Sequence, residues 1–236
     1  MKTLADFINT FLFGLYPYIC ISVFFIGSWA RFDREQYSWR AGSSQLLRRK
    51  QLMWGSNLFH IGILVIFIGH FVGLLTPVFI FDVLGISHTA KQILAMVAGG
   101  VAGVACFIGL TLLILRRLFD SRIRKTSSFW DIAILFLLYF QLILGLSSIL
   151  VSAQHLDGEE MIRFMTWAQG IVTFQGGTAD LILNAHIIFK MHLVLGMTLF
   201  LVFPFTRLVH VLSAPIWYLG RKGYQIVRTK GGARDR

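Results

Sequence analysis

Five apolar stretches, each long enough to cross a bilayer, leave this chain few ways to fold. They run near residues 8–30, 52–76, 92–115, 129–151 and 182–206. About 20 apolar residues in a helix match a hydrocarbon core of roughly 30 Å. In lipid the backbone must satisfy its own hydrogen bonds, so each stretch is expected to be a helix. Of the residues, 56% are hydrophobic, against about 45–50% in soluble domains. The polar remainder is too short to bury a second core. The sequence therefore predicts an all-α integral membrane protein with five transmembrane helices in an up-and-down bundle. It reads as a single domain over 1–236, with a basic tail at 207–236. The start lacks a basic n-region and an A-x-A-like cleavage site, so residues 1–30 read as a retained span rather than a signal peptide. Tyr16-Pro17 marks an expected kink in it.

The net charge of +11 would suit nucleic acid, but its placement points to a membrane. Arg31, Arg34, Arg40, Arg48, Arg49 and Lys50 lie between spans one and two. Arg116, Arg117, Arg122, Arg124 and Lys125 lie between spans three and four. Arg207, Arg221, Lys222, Arg228, Lys230, Arg234 and Arg236 lie at or after the end of span five. On the other side stand Lys2, Lys91, Arg163 and Lys190, with Asp157, Glu159, Glu160 and Asp180. Positive loops stay inside, which puts the N-terminus outside and the C-terminus in the cytoplasm. That topology accounts for the basic excess, and no nucleic-acid partner is expected. Cys20 and Cys106 lie within spans and lack a CxxCH context, which argues against covalent haem. Two cysteines cannot supply a four-thiolate cluster, and both read as small core residues.

Four histidines stand where idle polar groups are costly: His60 and His70 in span two, His192 and His210 in and at the end of span five. A lone membrane histidine more often makes a structural hydrogen bond. Four in two depth-matched pairs suit axial ligation. In an up-and-down bundle spans two and five run antiparallel, so depth pairs His70 with His192 and His60 with His210. Two pairs of imidazoles can hold two b-type haems, one near each face. The spacing fits imperfectly. His60 and His70 are about 15 Å apart along a helix and about 80° apart around it, whereas His192 and His210 are about 27 Å apart on one face. Pro204 offers a bend. Gly62, Gly69, Gly73 and Gly196 flank the histidines and would admit a flat macrocycle, although small residues equally serve helix packing, as Gly99, Gly100 and Gly103 are expected to do. His88, His155 and His186 fall in loops or at a helix start and are weaker ligand candidates.

Met161, Phe164, Met165, Ala168, Ile171 and Val172, with Trp167 among them, recur at helical spacing. They predict an interfacial amphipathic helix over 160–174, either a cover for the outer haem or a plain anchor. A different class of function, a histidine-based proton transporter, would want intramembrane carboxylates or paired broken repeats. Only Asp131 approaches a span interior, and no repeat is visible.

The chain resembles the gamma (cytochrome b) subunit of the membrane-bound respiratory nitrate reductase. The resemblance rests on YPYI (16–19), GSWARFDREQYSWRAGSSQ (27–45), SNLFHIGILVIFIGHFVGLLTP (56–77) and AMVAGGVAGV (95–104). SAQHLDG (152–158), WAQGIVTFQGG (167–177) and HLVLGMTLFLVFPFTRLVH (192–210) add to it. The chain departs from the family pattern at Gln175 and over 178–185. The resemblance implies that His60, His70, His192 and His210 are the haem-iron ligands. It also implies quinol oxidation at the outer face with a functional lysine at Lys91. That residue begins span three and otherwise reads as a lysine snorkelling at a helix end. Gly69 and His70 supply one wall of the quinol site by position. Lys190 there, and Arg116, Arg117 and Arg207 at the inner face, could neutralise haem propionates or simply line a basic rim. Electrons from quinol would pass inward through two b haems to an iron–sulfur subunit and a molybdenum subunit that reduces nitrate in anaerobic respiration. The expected home is a bacterial inner membrane. A cytochrome b subunit of another cytoplasmic-facing oxidoreductase is the alternative.

Overall fold

The computed structural model describes residues 4–39 and 47–213. Every element of regular structure among them is helical. Helix α1 (Leu4–Thr10) passes through a π-helical turn (Phe11–Leu15) into α2 (Tyr16–Arg34). Helix α3 (Arg49–Leu75) is followed by a short α4 (Val78–Val83) and the long α5 (His88–Phe119). A corner helix α6 (Ser121–Lys125) leads to α7 (Phe129–Ser152), then α8 (Glu159–Val172) and α9 (Ile187–Val202). Two 3-10 helices follow, Phe203–Phe205 and Arg207–Ser213.

Five helical stretches are long and apolar enough to cross a membrane: Leu4–Arg34, Arg49–Leu75, His88–Phe119, Phe129–Ser152 and Ile187–Phe205. The molecule wears its hydrophobic residues outside. Phe67, Val101 and Leu150 are 55%, 71% and 71% exposed, which only a lipid environment accommodates on this scale.

Packing runs as an arc in which α3 lies on α5, α5 on α7, α7 on α9 and α9 on α2. Helix α3, which carries His60 and His70, and helix α9, which carries His192, are not packing neighbours in that arc. Small residues draw α3 and α5 together. A Cβ on Gly62 would stand 2.6 Å from the Ala102 carbonyl oxygen and 2.7 Å from the Cys106 Cβ. One on Gly109 would stand 2.4 Å from the Phe59 nitrogen. Cys20 and Cys106 are buried free thiols.

Some sequence expectations shift. The kink at Tyr16-Pro17 is a π turn: the widened turn ends just before Pro17, which lacks an N–H and sits in the first turn of α2. The fifth span starts at Ile187 rather than 182. Residues Thr178–Ile182 form a 3-10 turn, and His186 caps α9 by accepting from the Ile188 N–H at 3.3 Å. Helix α5 is longer than 92–115 because Ser87 caps it early, accepting from the Ala90 N–H. The amphipathic segment is the helix Glu159–Val172. Met165, Trp167, Ala168 and Ile171 are buried, but Val172 is half exposed and lies off the packed face.

Candidate functional site

The four histidines meet in two pairs. Ring centroids of His70 and His192 are 6.1 Å apart, and those of His60 and His210 are 6.3 Å apart. Two imidazoles on opposite sides of one metal ion, each through a bond of about 2 Å and with a ring radius of about 1.1 Å, bring their centroids to about 6.2 Å. Both separations leave room for one haem iron between the two rings. Among the described residues no three His, Cys, Asp or Glu side chains gather as a metal cage. The histidines come in twos, the number of axial positions on a haem.

Hydrogen bonds set the tautomers. The Nδ1 of His60 lies 2.7 Å from the Ser56 carbonyl oxygen, that of His70 2.8 Å from Ile66, and that of His210 2.5 Å from Arg207. A carbonyl only accepts, so Nδ1 carries the proton in each and Nε2 keeps its lone pair for a metal. His192 differs. Its Nδ1 is buried with no hydrogen-bond partner among the described residues, and its ring nestles against Gly145, where a Cβ would meet Cε1 at 3.0 Å. Gln141 donates to the His192 carbonyl at 3.1 Å and reaches its Nε2 at 3.4 Å.

The misfit in helical spacing is resolved by the chain path. Helix α9 ends at Val202, Pro204 sits in a 3-10 turn, and Thr206 is extended with φ −117° and ψ 179°. His210 therefore rides on a separate 3-10 segment, and the pair need not span a straight helix. His60 lies about three turns into α3, because the helix begins at Arg49.

The flanking glycines divide. A Cβ on Gly69 or Gly73 would meet nothing within 4 Å, which leaves that face of α3 open beside His70. Gly62 is instead spent on packing against α5, and Gly196 faces the Gln141 amide on α7 at 3.2 Å. In α5, Gly103 abuts Leu146 and Gly100 touches Ile149, but Gly99 meets nothing within 4 Å.

Lys91 is 8% exposed. Its ammonium donates to the Gly73 carbonyl at 3.2 Å, contacts the Met165 sulfur at 2.7 Å and lies 3.6 Å over the Phe81 ring. It points into the protein at the C-terminal end of α3, one turn from Gly69, and does not reach out to solvent. Helix α8 closes over this region. Gln169 donates to the Leu74 and Thr76 carbonyls at 3.1 Å each, and Trp167 to the Phe13 carbonyl in the π turn at 2.9 Å. Gln92 fastens the approach to α8 by donating to Ser152 and His155 carbonyls while accepting from the Gly158 N–H.

The remaining sequence candidates have local partners. Lys190 donates to the Leu183 carbonyl at 2.6 Å, and His88 pairs with Asp82 at 3.1 Å. Arg116 donates to the Leu47 carbonyl, Arg117 to Ser127, and Arg207 to Asp131. Residues 214–236, with most of the basic tail, and 40–46, with Arg40, lie outside the described residues. Gln141, Gly145, Gln92 and Gln169 were not singled out from the sequence. For Gln141 a signal existed: it is a lone amide in mid-span.

Comparison with known proteins decides the family. The sequence pattern described as "Nitrate reductase gamma subunit" matches residues 9–230.

This chain belongs to the nitrate reductase gamma subunit family.

It is 54% identical over 225 residues to the "Respiratory nitrate reductase 1 gamma chain" of Escherichia coli (strain K12), covering 95% of this chain and 99% of that one. Identity to the "Respiratory nitrate reductase 2 gamma chain" of the same organism is 51%, over 96% and 100% of the two chains. The "Nitrate reductase gamma chain" of Bacillus subtilis (strain 168) is 40% identical over 93% of this chain and 97% of its own. As a gamma subunit the chain is a multi-pass membrane component of a nitrate reductase, with His60 and His70 exposed on α3 and His192 and His210 half-buried opposite them.

Proposed function

We propose that this gamma subunit oxidises quinol and passes the electrons across a bacterial inner membrane to nitrate-reducing partners. The observation that carries the reading is the pair of histidine couples, with centroids 6.1 and 6.3 Å apart, in which His70 on α3 meets His192 on α9 and His60 on α3 meets His210 on the 3-10 segment beyond it. His70 and His192 would hold one b-type haem and His60 and His210 the other, both without covalent attachment. Bound there, the haems supply one-electron transfer, which the side chains cannot. The chain's own work is to present each imidazole to the iron, with the Nε2 of His60, His70 and His210 left free by their Nδ1 bonds, and to receive quinol.

The basic loops support a topology with the His60–His210 end at the cytoplasm and the N-terminus outside. Quinol then meets the chain at the outer end, where Gly69 leaves α3 open beside His70. Lys91 stands one turn away with an ammonium that can donate a hydrogen bond to a quinol oxygen. Each quinol yields two electrons, which go inward, and two protons, which leave outside. An iron–sulfur subunit and a molybdenum subunit on the cytoplasmic face receive the electrons and reduce nitrate, in keeping with the names of the relatives.

The test uses membranes containing the whole complex. A quinol analogue added without oxygen should produce the absorption of reduced b haem, and nitrate should then erase it within seconds. Haem that is reduced by quinol but not reoxidised by nitrate would assign the chain to another acceptor.

A further inference from the structure

The segment bearing His210 is an unusual place for a metal ligand. It is a seven-residue 3-10 helix, Arg207–Ser213, although such helices seldom hold beyond about three or four residues unaided. It follows a broken helix end whose carbonyls have lost their helical donors. Two charged side chains from other helices fasten it. From α2, Arg31 donates through one nitrogen to the carbonyls of Pro204 at 2.6 Å and Thr206 at 2.9 Å. From α7, Asp131 takes Arg207 on one oxygen, with Nε and Nη2 both at 2.8 Å. Its other oxygen accepts the Ser128 N–H at 3.1 Å and lies 3.6 Å from Arg117. Asp131 is thereby locked to the start of its own helix by a capping box. The backbone carbonyl of Arg207 in turn accepts the Nδ1 proton of His210 at 2.5 Å.

We propose that Asp131, with Arg31 in support, is a positioning residue for the axial ligand His210, acting through Arg207. The carboxylate fixes the Arg207 side chain, Arg31 fixes the turn before it, and the Arg207 carbonyl fixes the imidazole plane. This role rests on the haem-ligand assignment proposed above. It goes beyond that assignment by making the inner site, and not the outer one, depend on an ion pair between α7 and the end of the chain's last span. Gly27 serves the same fastening, since a Cβ there would meet the Pro204 ring at 2.9 Å.

The experiment compares Asp131→Asn, Asp131→Glu and Arg31→Lys in the full complex, measuring haem per subunit and the low-spin electron paramagnetic resonance signal of each haem. That signal follows the angle between the two imidazole planes, which a general loss of stability does not alter selectively. Asp131→Asn should shift the inner-haem signal, or weaken retention of that haem by about 10–100-fold. The outer-haem signal should stay in place, and Asp131→Glu should restore the inner one in part. An unchanged inner signal in Asp131→Asn overturns the proposal. So does equal loss of both haems in Asp131→Asn and Arg31→Lys. Absence of two bis-histidine signals from the unaltered complex would instead remove the haem assignment itself.

Discussion

Lys91 keeps its ammonium inside the protein, between a carbonyl of α3, a sulfur of α8 and an aromatic ring of α4. A lysine merely ending a span would reach outward to water. Lys91→Ala should therefore slow haem reduction by quinol about tenfold to a hundredfold, the effect of losing one charge-assisted hydrogen bond of about 1.5–3 kcal/mol. Both haems should stay bound, and a soluble artificial donor should still drive nitrate reduction. Stopped-flow reduction by quinol checks this, and a rate equal to that of the unaltered protein would take Lys91 out of the site. The position of this lysine at a helix start was legible in the sequence. Its inward turn was not, because that depends on Met165 and Phe81, which arrive from helices far along the chain. The same holds for the histidines. Their pairing by depth follows from antiparallel spans, whereas the Nδ1 bonds to Ser56, Ile66 and Arg207 carbonyls appear only once the backbone is placed.

At the level of elements, hydropathy located all five spans, since length and apolar composition are what a bilayer demands. It misplaced the ends, which are set by caps and breaks. Ser87 starts α5 early, and Val202 ends α9 ahead of Pro204. Helix α8 announced itself by its apolar spacing, but its fastening by Gln169 and Trp167 to the C-terminal end of α3 and to the π turn between α1 and α2 depends on backbone carbonyls that sequence does not reveal. The roles of the glycines were equally hidden. Gly62 and Gly99 look alike in the sequence, yet one is pressed against α5 and the other faces open space. Gly62→Ala should destabilise the bundle by about 1–3 kcal/mol through overpacking. Gly99→Ala should be neutral or stabilising, because alanine favours a helix over glycine by about 1 kcal/mol. Thermal unfolding in detergent distinguishes the two, and equal melting temperatures would contradict the α3–α5 contact.

Taken as a whole, the molecule is an arc of helices in which α3 and α9 do not pack together, while His192 on α9 and His210 just beyond it stand opposite His70 and His60. An apolar exterior and a polar pair at each of two depths suit a conductor set across a membrane. The direction of the conductor follows from charge. With Cys20 and Cys106 replaced by alanine, a cysteine at Glu159 should react with an impermeant thiol reagent from outside, and one at Arg124 from the cytoplasmic side. Reaction of both from the same side would contradict the topology. The central claim is that the four histidines form two separate ligand pairs, and counting haems tests it most directly. The purified complex should contain two b-type haems in this subunit, resolved as two components in a redox titration. Replacing His70 or His192 should abolish one component, and replacing His60 or His210 the other. One haem per subunit, or loss of the same component from His60 and His70 variants, would contradict the account.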